Sequence, residues 1–439
     1  MQLLPVLEGL HSAEAFTRPF LEAFLELVGE IERDRERFQD ALRGKVIATV
    51  FEEPSTRTRL SFESAAHRLG AGVITVADPR TTSAAKGESL RDSARIIGGY
   101  TDLIVWRHPR DGASRLASQY AGVPLVNGGD GRLGHPTQTL LDLYTLHRRW
   151  GSLEGRTVAV LGDLLHGRTA RSLTWALAVL GARIVVLPGP GLDWETAFER
   201  RICDRYDYRL RRVRHAIFQA WTGSDEARVL EPRGLVQGSL FAGDAPTLDS
   251  IDAVYLTRLQ AERGAADAAQ GAFPGLKRSD LRDPLLAEAL FLHPLPRRDE
   301  IPEFVDEDPR AVYFEQARNG PLVRMAVFLA LLRADAHPIP GLNPLPAGQG
   351  EHGLGDCPNE NCITRAEGLQ PPWRVEGRAR RIFLCAYCDS LLEVHYVGCR
   401  STRRVHPAHS SQVMKIRPEN LRPFLEREAA LEQGFAWGG

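Results

Sequence analysis

Phe51-Glu52-Glu53-Pro54-Ser55-Thr56-Arg57-Thr58-Arg59 is the stretch on which the reading of this chain turns. Before it, Lys45-Val46-Ile47-Ala48-Thr49-Val50-Phe51 is an apolar, β-branched run that reads as a buried strand. After it, Leu60, Ala65, Ala66 and Leu69 recur at helical spacing, and Gly70 can end the helix. Pro54-Ser55-Thr56 is then a strand-to-helix turn. A helix start offers unpaired backbone N–H groups and the positive end of the helix dipole, which together favour an anion. Ser55, Thr56 and Thr58 add hydroxyl donors, and Arg57 adds a planar, permanently charged fork that fits phosphate oxygens. Ser and Thr are also ordinary N-caps, so local chemistry alone leaves a capped helix with a solvated Arg as the alternative.

Working outward, 439 residues allow two or three domains, each with a core. The formal net charge of −1 gives no global pull toward nucleic acid or a membrane surface. No apolar run is long enough to span a bilayer, and Met1-Gln2-Leu3-Leu4-Pro5 lacks the charged leader of a signal peptide, so a cytoplasmic protein is expected. Residues 12–42 interleave Phe16, Phe20, Leu21, Phe24, Leu25, Leu27 and Val28 with charges, which predicts an amphipathic helix. Leu103-Ile104-Val105-Trp106 reads as a strand with Arg107 at its carboxyl end, where open parallel sheets collect ligands. His135-Pro136-Thr137-Gln138 starts another helix, with Pro136 suited to its first position. Thr157–Asp163, a helix over 170–180 and a strand over 183–187 form a Rossmann-type β-α-β unit without the glycine fingerprint of a dinucleotide site. The basic, aromatic run 206–214 reads as a solvated helix face rather than a nucleic-acid surface, inside a segment, 190–247, with the look of an insertion. Arg258 and Gln260 follow the strand 251–257, and His293-Pro294-Leu295-Pro296-Arg297 follows another.

The Pro54-Ser55-Thr56-Arg57-Thr58 run, followed by Ser61-Phe62-Glu63, resembles the carbamoyl-phosphate motif of aspartate and ornithine carbamoyltransferases. The resemblance implies that Arg57, Thr58, Arg107 and His135 act on the carbamoyl phosphate, with Ser55 and Thr56 on its phosphate and Gln138 on its amide. It implies that Lys86, with a hydroxyl at Thr82 or Ser83, reaches into a neighbouring subunit's site, so the protein would be a homo-oligomer built on a trimer. Arg168, Arg258 and Gln260 match positions that grip aspartate, and Pro294 and Leu295 match backbone acceptors for the carbamoyl amide and the incoming amine. Thr137 and Pro294 stand where ornithine enzymes carry Cys, which favours aspartate. Another amine, or a non-catalytic partner subunit, are the alternatives.

Five of six cysteines lie between 357 and 399. Cys357-x4-Cys362 and Cys385-x2-Cys388, separated by 22 residues, are spaced for a closed tetrahedral Zn2+ site, one per chain, with Cys399 outside it as a free thiol. The knuckles resemble the zinc domain of the regulatory chain of aspartate carbamoyltransferases, without room before them for that chain's nucleotide-binding domain. Residues 413–433 read as a terminal amphipathic helix.

The expected fold class is thus α/β: two Rossmann-like three-layer domains with parallel sheets, and a small C-terminal zinc-ribbon-like β module. Residues 1–149 would bind carbamoyl phosphate, completed by a helix at 305–333, and 150–304 would bind aspartate. Residues 334–353 would be a linker, and 354–439 the zinc module with the terminal helix. No organic cofactor, nucleic acid or membrane is expected.

Overall fold

The computed structural model describes residues 9–78, 83–235, 248–260, 273–333, 339–342, 354–376 and 381–438. Most of the expected linker lies outside these residues, as does Thr82.

Short apolar runs build the first sheet: β1 (Gly9–Leu10), β2 (Val46–Phe51), β3 (Gly72–Val76), β4 (Leu103–His108) and β5 (Leu125–Asp130). All pair in parallel, in the order β1-β5-β4-β2-β3. Parallel neighbours need crossovers, supplied by α1 (Arg18–Arg33), α2 (Thr56–Arg68), α3 (Leu90–Gly98) and α4 (Ala113–Ala121). The expected helix over 12–42 is shorter. Thr17 caps it by accepting from the Phe20 N–H, Pro19 occupies the first turn, and short 3₁₀ turns flank it.

Helix α5 (Pro136–Trp150) leads to the second sheet. There β6 (Thr157–Gly162), α6 (Arg168–Val179) and β7 (Arg183–Pro188) form the β-α-β unit. The 190–235 segment then folds as α7 (Thr196–Tyr206), β8 (Tyr208–Arg214), α8 (Ala216–Thr222) and β9 (Glu226–Pro232). With β10 (Ala253–Leu256) and β11 (Leu290–Leu292) the order is β11-β10-β6-β7-β9-β8, and β9 runs antiparallel to both neighbours. The basic run is therefore a strand, not a helix face. It closes the sheet as an edge, and Arg209, Arg211 and Arg212 pair with Glu231 and Glu226 of β9. Charged edge strands discourage further pairing. Helices α9 (Tyr313–Arg318) and α10 (Gly320–Leu332) return to pack on α1, α2 and α5, so one apolar core runs beneath both sheets.

The tail holds α11 (Ile363–Ala366), a hairpin of β12 (Trp373–Glu376) and β13 (Ile382–Cys385), then β14 (Tyr396–Cys399) and β15 (Arg404–Pro407). It ends in α12 (Ser411–Lys415), β16 (Leu421–Phe424), α13 (Arg427–Glu432) and β17 (Ala436–Trp437), which build a second sheet ordered β16-β14-β15-β17. The expected terminal helix over 413–433 is thus broken into two short helices and a strand. Pro418 and Pro423 remove backbone donors from that stretch, and a continuous helix cannot tolerate both.

The tail docks on the first sheet's flank through backbone and side chains. The Asp111 N–H donates to the Asn361 carbonyl, the Ile363 N–H donates to the Asp111 carbonyl, and the Glu367 carboxylate accepts from the Leu90 N–H and Arg91. Gly112 is required there, because a Cβ would meet the Tyr387 carbonyl at 2.6 Å.

Candidate active site

In both sheets the order of the strands reverses at one strand. In the first, β2 lies between β3 and β4; in the second, β6 lies between β7 and β10. Ligands in open α/β sheets gather beyond the carboxyl ends of strands at such reversals. Here the two crevices face each other and form a cleft of about 1180 Å³.

Three helix N-termini end in this cleft. Helix α2 starts after Ser55, α5 after His135 and α6 after Gly167, and neither the Ser55 nor the His135 side chain caps its own helix. Helix starts of this kind favour an anion, and the Ser55 hydroxyl caps nothing in its own helix. From the first crevice Ser55, Thr56, Arg57, Thr58, Arg107, His135 and Gln138 line the walls. From the second come Arg168, Arg258, Gln260, Pro294 and Leu295. Lys86 is not among the residues that line this cleft; it is exposed on the 3₁₀ turn Ser83–Lys86.

The cleft is strongly cationic. Burial and then the facing Arg258 guanidinium hold Arg57 below its ordinary value. Two like charges thus face one cleft from its two sides. Glu53 is the acidic group among them. Its carboxylate accepts from Arg107 at 2.6 Å and from Arg168 at 3.1 Å, and so ties strand β4 to helix α6. Glu53 was quoted in the opening stretch without a role; its place between a strand end and Pro54 is the signal for one.

The backbone beyond β11 is fixed by His293. Its Nδ1 accepts the Leu295 N–H at 2.8 Å and its Nε2 faces Glu300 at 2.9 Å, and burial lowers its pKa, so the ring is the neutral Nε2–H tautomer. Leu295 then sits at φ 54, a left-handed conformation that a branched residue holds only when its surroundings impose it. Asp163, fully buried, accepts the Gln260 N–H at 3.0 Å and places that loop. Gln316 and Arg324 also line the cleft and Asp142 lies buried beside Gln316, none of which sequence reasoning singled out. Asp142 falls one turn after Gln138 on the same helix face, which is the signal that was there to read.

The four tail thiols converge as expected. Cys357, Cys362, Cys385 and Cys388 are buried, with sulfurs all within 4.8 Å of one another and pairs at 3.4 and 3.9 Å. A tetrahedron with metal–sulfur bonds of about 2.3 Å has sulfurs about 3.8 Å apart, so the donor set fits one ion with no open position. Cys399 lies outside, against Ser401.

Three family models match the chain. Residues 9–148 match the carbamoyl-P binding domain of aspartate/ornithine carbamoyltransferase, and 240–331 match its Asp/Orn binding domain. Residues 352–397 match the metal binding domain of the aspartate carbamoyltransferase regulatory chain. The aspartate carbamoyltransferase catalytic subunit of Thermoplasma acidophilum is 43% identical over 296 residues, 67% of this chain and 87% of that protein. That of Methanopyrus kandleri is 40% identical over 326 residues, 73% and 96% of the two chains. Among solved structures, the M. jannaschii catalytic subunit superposes with TM-score 0.58 at 36% identity, over 75% of this chain and 99% of that one. Aspartate transcarbamoylase from Trypanosoma cruzi, in complex with carbamoyl phosphate and aspartate, gives 0.60 at 32%, over 75% and 99%. The chain belongs to the aspartate carbamoyltransferase family, with a metal-binding domain of the regulatory-chain type following its catalytic domains.

Proposed function

We propose that the cleft transfers the carbamoyl group of carbamoyl phosphate to L-aspartate, giving N-carbamoyl-L-aspartate and phosphate as a step of de novo pyrimidine (UMP) biosynthesis in the cytoplasm. The amino nitrogen of aspartate attacks the carbamoyl carbon. The C–N bond forms, the C–O bond to phosphorus breaks, and the proton lost by nitrogen passes to the departing phosphate. Ser55, Thr56 and Arg57 take up charge on that phosphate, joined by Lys86 and a hydroxyl of Thr82 or Ser83 from a neighbouring subunit of a trimer. Arg107, His135 and Thr58 stabilise the developing oxyanion, the term that usually dominates acyl transfer. Gln138, Pro294 and Leu295 accept from the carbamoyl NH2 and the amine. Arg168 and Arg258, with Gln260, hold the two carboxylates of aspartate in bidentate fashion. The residues 1–149 and 150–304 divide these tasks, with 305–333 completing the first unit, and closure between them excludes water.

The observation that carries this reading is the convergence of Arg57 and Arg258 from opposite crevices on one cleft. A phosphate on one side and a dicarboxylate on the other neutralise that set; ornithine, with its ammonium, does not. The test is phosphate release from carbamoyl phosphate by purified protein with aspartate, with ornithine and with no amine. Release with aspartate alone is expected. Release with ornithine sinks the assignment of the second crevice, and release with neither amine sinks the reaction.

The tail thiolates hold Zn2+ as a closed structural centre, without a part in the chemistry. The chain leaves no space for a nucleotide-binding unit between its catalytic part and this centre, so control by ATP or CTP along the usual route is absent. Aspartate kinetics shifted by CTP would refute that.

A further inference from the structure

We infer that Asp142 is a positioning residue which fixes the acceptor face offered to the carbamoyl NH2, by holding the side-chain amides of both Gln138 and Gln316 in one orientation. This rests on the reading of Gln138 and the 293–295 turn as the receptors of that NH2.

Asp142 lies on α5, 0% exposed, one turn behind Gln138. Its Oδ1 accepts from Gln138 Nε2 at 2.9 Å and from Gln316 Nε2 at 2.6 Å. Both amides thus place their NH2 group on the same oxygen. The consequence is set by the chemistry of an amide, which has a donor on one side and an acceptor on the other. With its NH2 on Asp142, Gln138 turns its Oε1 away, and Gln138 lines the cleft. With its NH2 on Asp142, Gln316 turns its Oε1 to the His293 N–H, which donates to it at 3.0 Å. That bond anchors the start of the 293–295 turn, whose geometry is completed by the Leu295 N–H on His293 Nδ1.

One buried oxygen therefore governs two acceptors on different helices, Gln138 of α5 and Gln316 of α9. Without it Gln138 is free to rotate, and half of its orientations present NH2 to NH2. The other groups facing Asp142 do not substitute for it. Tyr255, of β10, faces the carboxyl with its hydroxyl, and Arg324, of α10, offers only donors. Both lie on the far side of the amide question, since neither bonds Gln138.

The convergence on Oδ1 identifies the faithful replacement. Asn carries the same acceptor at the same position, so Asp142→Asn keeps both amide bonds, whereas Asp142→Ala and Asp142→Ser cannot reach them. The test uses the full chain with its metal retained. Calorimetric titration compares inorganic phosphate, which needs only the helix-start cradle, with phosphonoacetamide, a stable analogue that adds the amide. In Asp142→Ala, affinity for phosphonoacetamide should fall about tenfold, the worth of one oriented hydrogen bond, while affinity for phosphate stays. Asp142→Asn should recover most of that loss. Equal loss for both ligands, no loss for either, or an Asn variant as weak as the Ala variant overturns the inference. If the Ala variant does not fold, Asp142→Ser carries the same expectations. Parent protein that releases no phosphate with aspartate overturns the reaction instead, and the two titrations still judge Asp142.

Discussion

Arg115 of α4 grips Asp389 of the tail with two guanidinium bonds, 2.6 Å and 3.1 Å long, and both side chains are almost wholly buried. Asp389 follows Cys388 directly, so the metal centre and the catalytic body are joined by adjacent residues. The pair belongs to a larger knot. Arg374 bridges Asp389 and Glu14; Arg201, of α7, bridges Glu14 and Glu376. Burial pushes the Glu14 carboxyl up, but Arg201, Arg374 and Arg115 outweigh it and hold it well below the usual range. The tail thus holds both α/β units at once, through Arg115 in one and Arg201 in the other.

Cutting one partner of such a knot leaves the other charge buried alone. Asp389→Ala should therefore cost about 3–5 kcal/mol, far more than an exposed pair. The check is chemical denaturation together with limited proteolysis. The expected pattern is early release of a fragment beginning near residue 354, ahead of the loss of the catalytic body. A variant with parent-like stability would show that the pair contributes nothing net.

Removing the metal should act through the same residues. Four thiols within 4.8 Å cannot all ionise without a cation. A chelator is expected to strip about one zinc per chain by metal analysis, and hydrogen exchange should then rise at 386–389 and at 111–115. Protection that is unchanged at 111–115 would mean that the docking does not depend on the centre.

Arg57 and Arg258 face the cleft from different sheets, so their losses should separate by substrate. Arg57→Ala should lower turnover about 10²–10³-fold with the fold kept. Arg258→Ala should raise the KM for aspartate and leave carbamoyl phosphate binding near the parent value. Steady-state kinetics with each substrate varied in turn decides this; an Arg258 variant impaired equally toward both would undo the division of the cleft.

Lys86 is exposed and absent from its own cleft's walls. If it serves a neighbour, Lys86→Ala and Arg57→Ala are each strongly impaired alone but complement when mixed. Reassembly of the two in one oligomer should regenerate sites whose Arg57 and Lys86 come from different chains. Activity that never recovers on mixing would place Lys86 outside the site.

How much of this was legible depended on whether the signal was local. The strand-to-helix turn at the cleft was, because Pro54, Ser55 and Arg57 sit within one short junction. So was the thiol cluster, since four cysteines at short spacing suffice to define it. Strand β8 was not. Its arginines suggest a solvated helix, and only Glu226 and Glu231 on the partner strand reveal why they tolerate an edge. The broken tail helix was legible in Pro418 and Pro423, but the apolar spacing outweighed them. Glu14 was illegible, and of Asp142 only its place one turn after Gln138 could be read, not its partners. Each is a lone carboxyl in an apolar stretch, and its partners lie far along the chain, at Arg201 and Arg374 for Glu14 and at Gln316 for Asp142.

Asp142 also supplies a pH dependence of stability whose sign can be worked out. Burial pushes its carboxyl up from 3.8 to about 7, against the bonds from Gln316 and Gln138. A group whose folded value is raised binds its proton more tightly when folded. It costs no stability below the unfolded value near 4. The cost grows as pH rises from there to about 7 and is constant above, where folding must keep a buried carboxylate ionised. Asn at this position keeps both amide bonds and never ionises. Asp142→Asn should therefore match the parent at pH 4 and exceed it increasingly up to pH 7, with a level advantage beyond. Denaturant midpoints across that range give the answer. An advantage that is the same at pH 4 and pH 8 would trace the gain to packing rather than to the carboxyl, and a deficit at every pH would mean that the charge on Asp142 is stabilised by Arg324 more than burial opposes it.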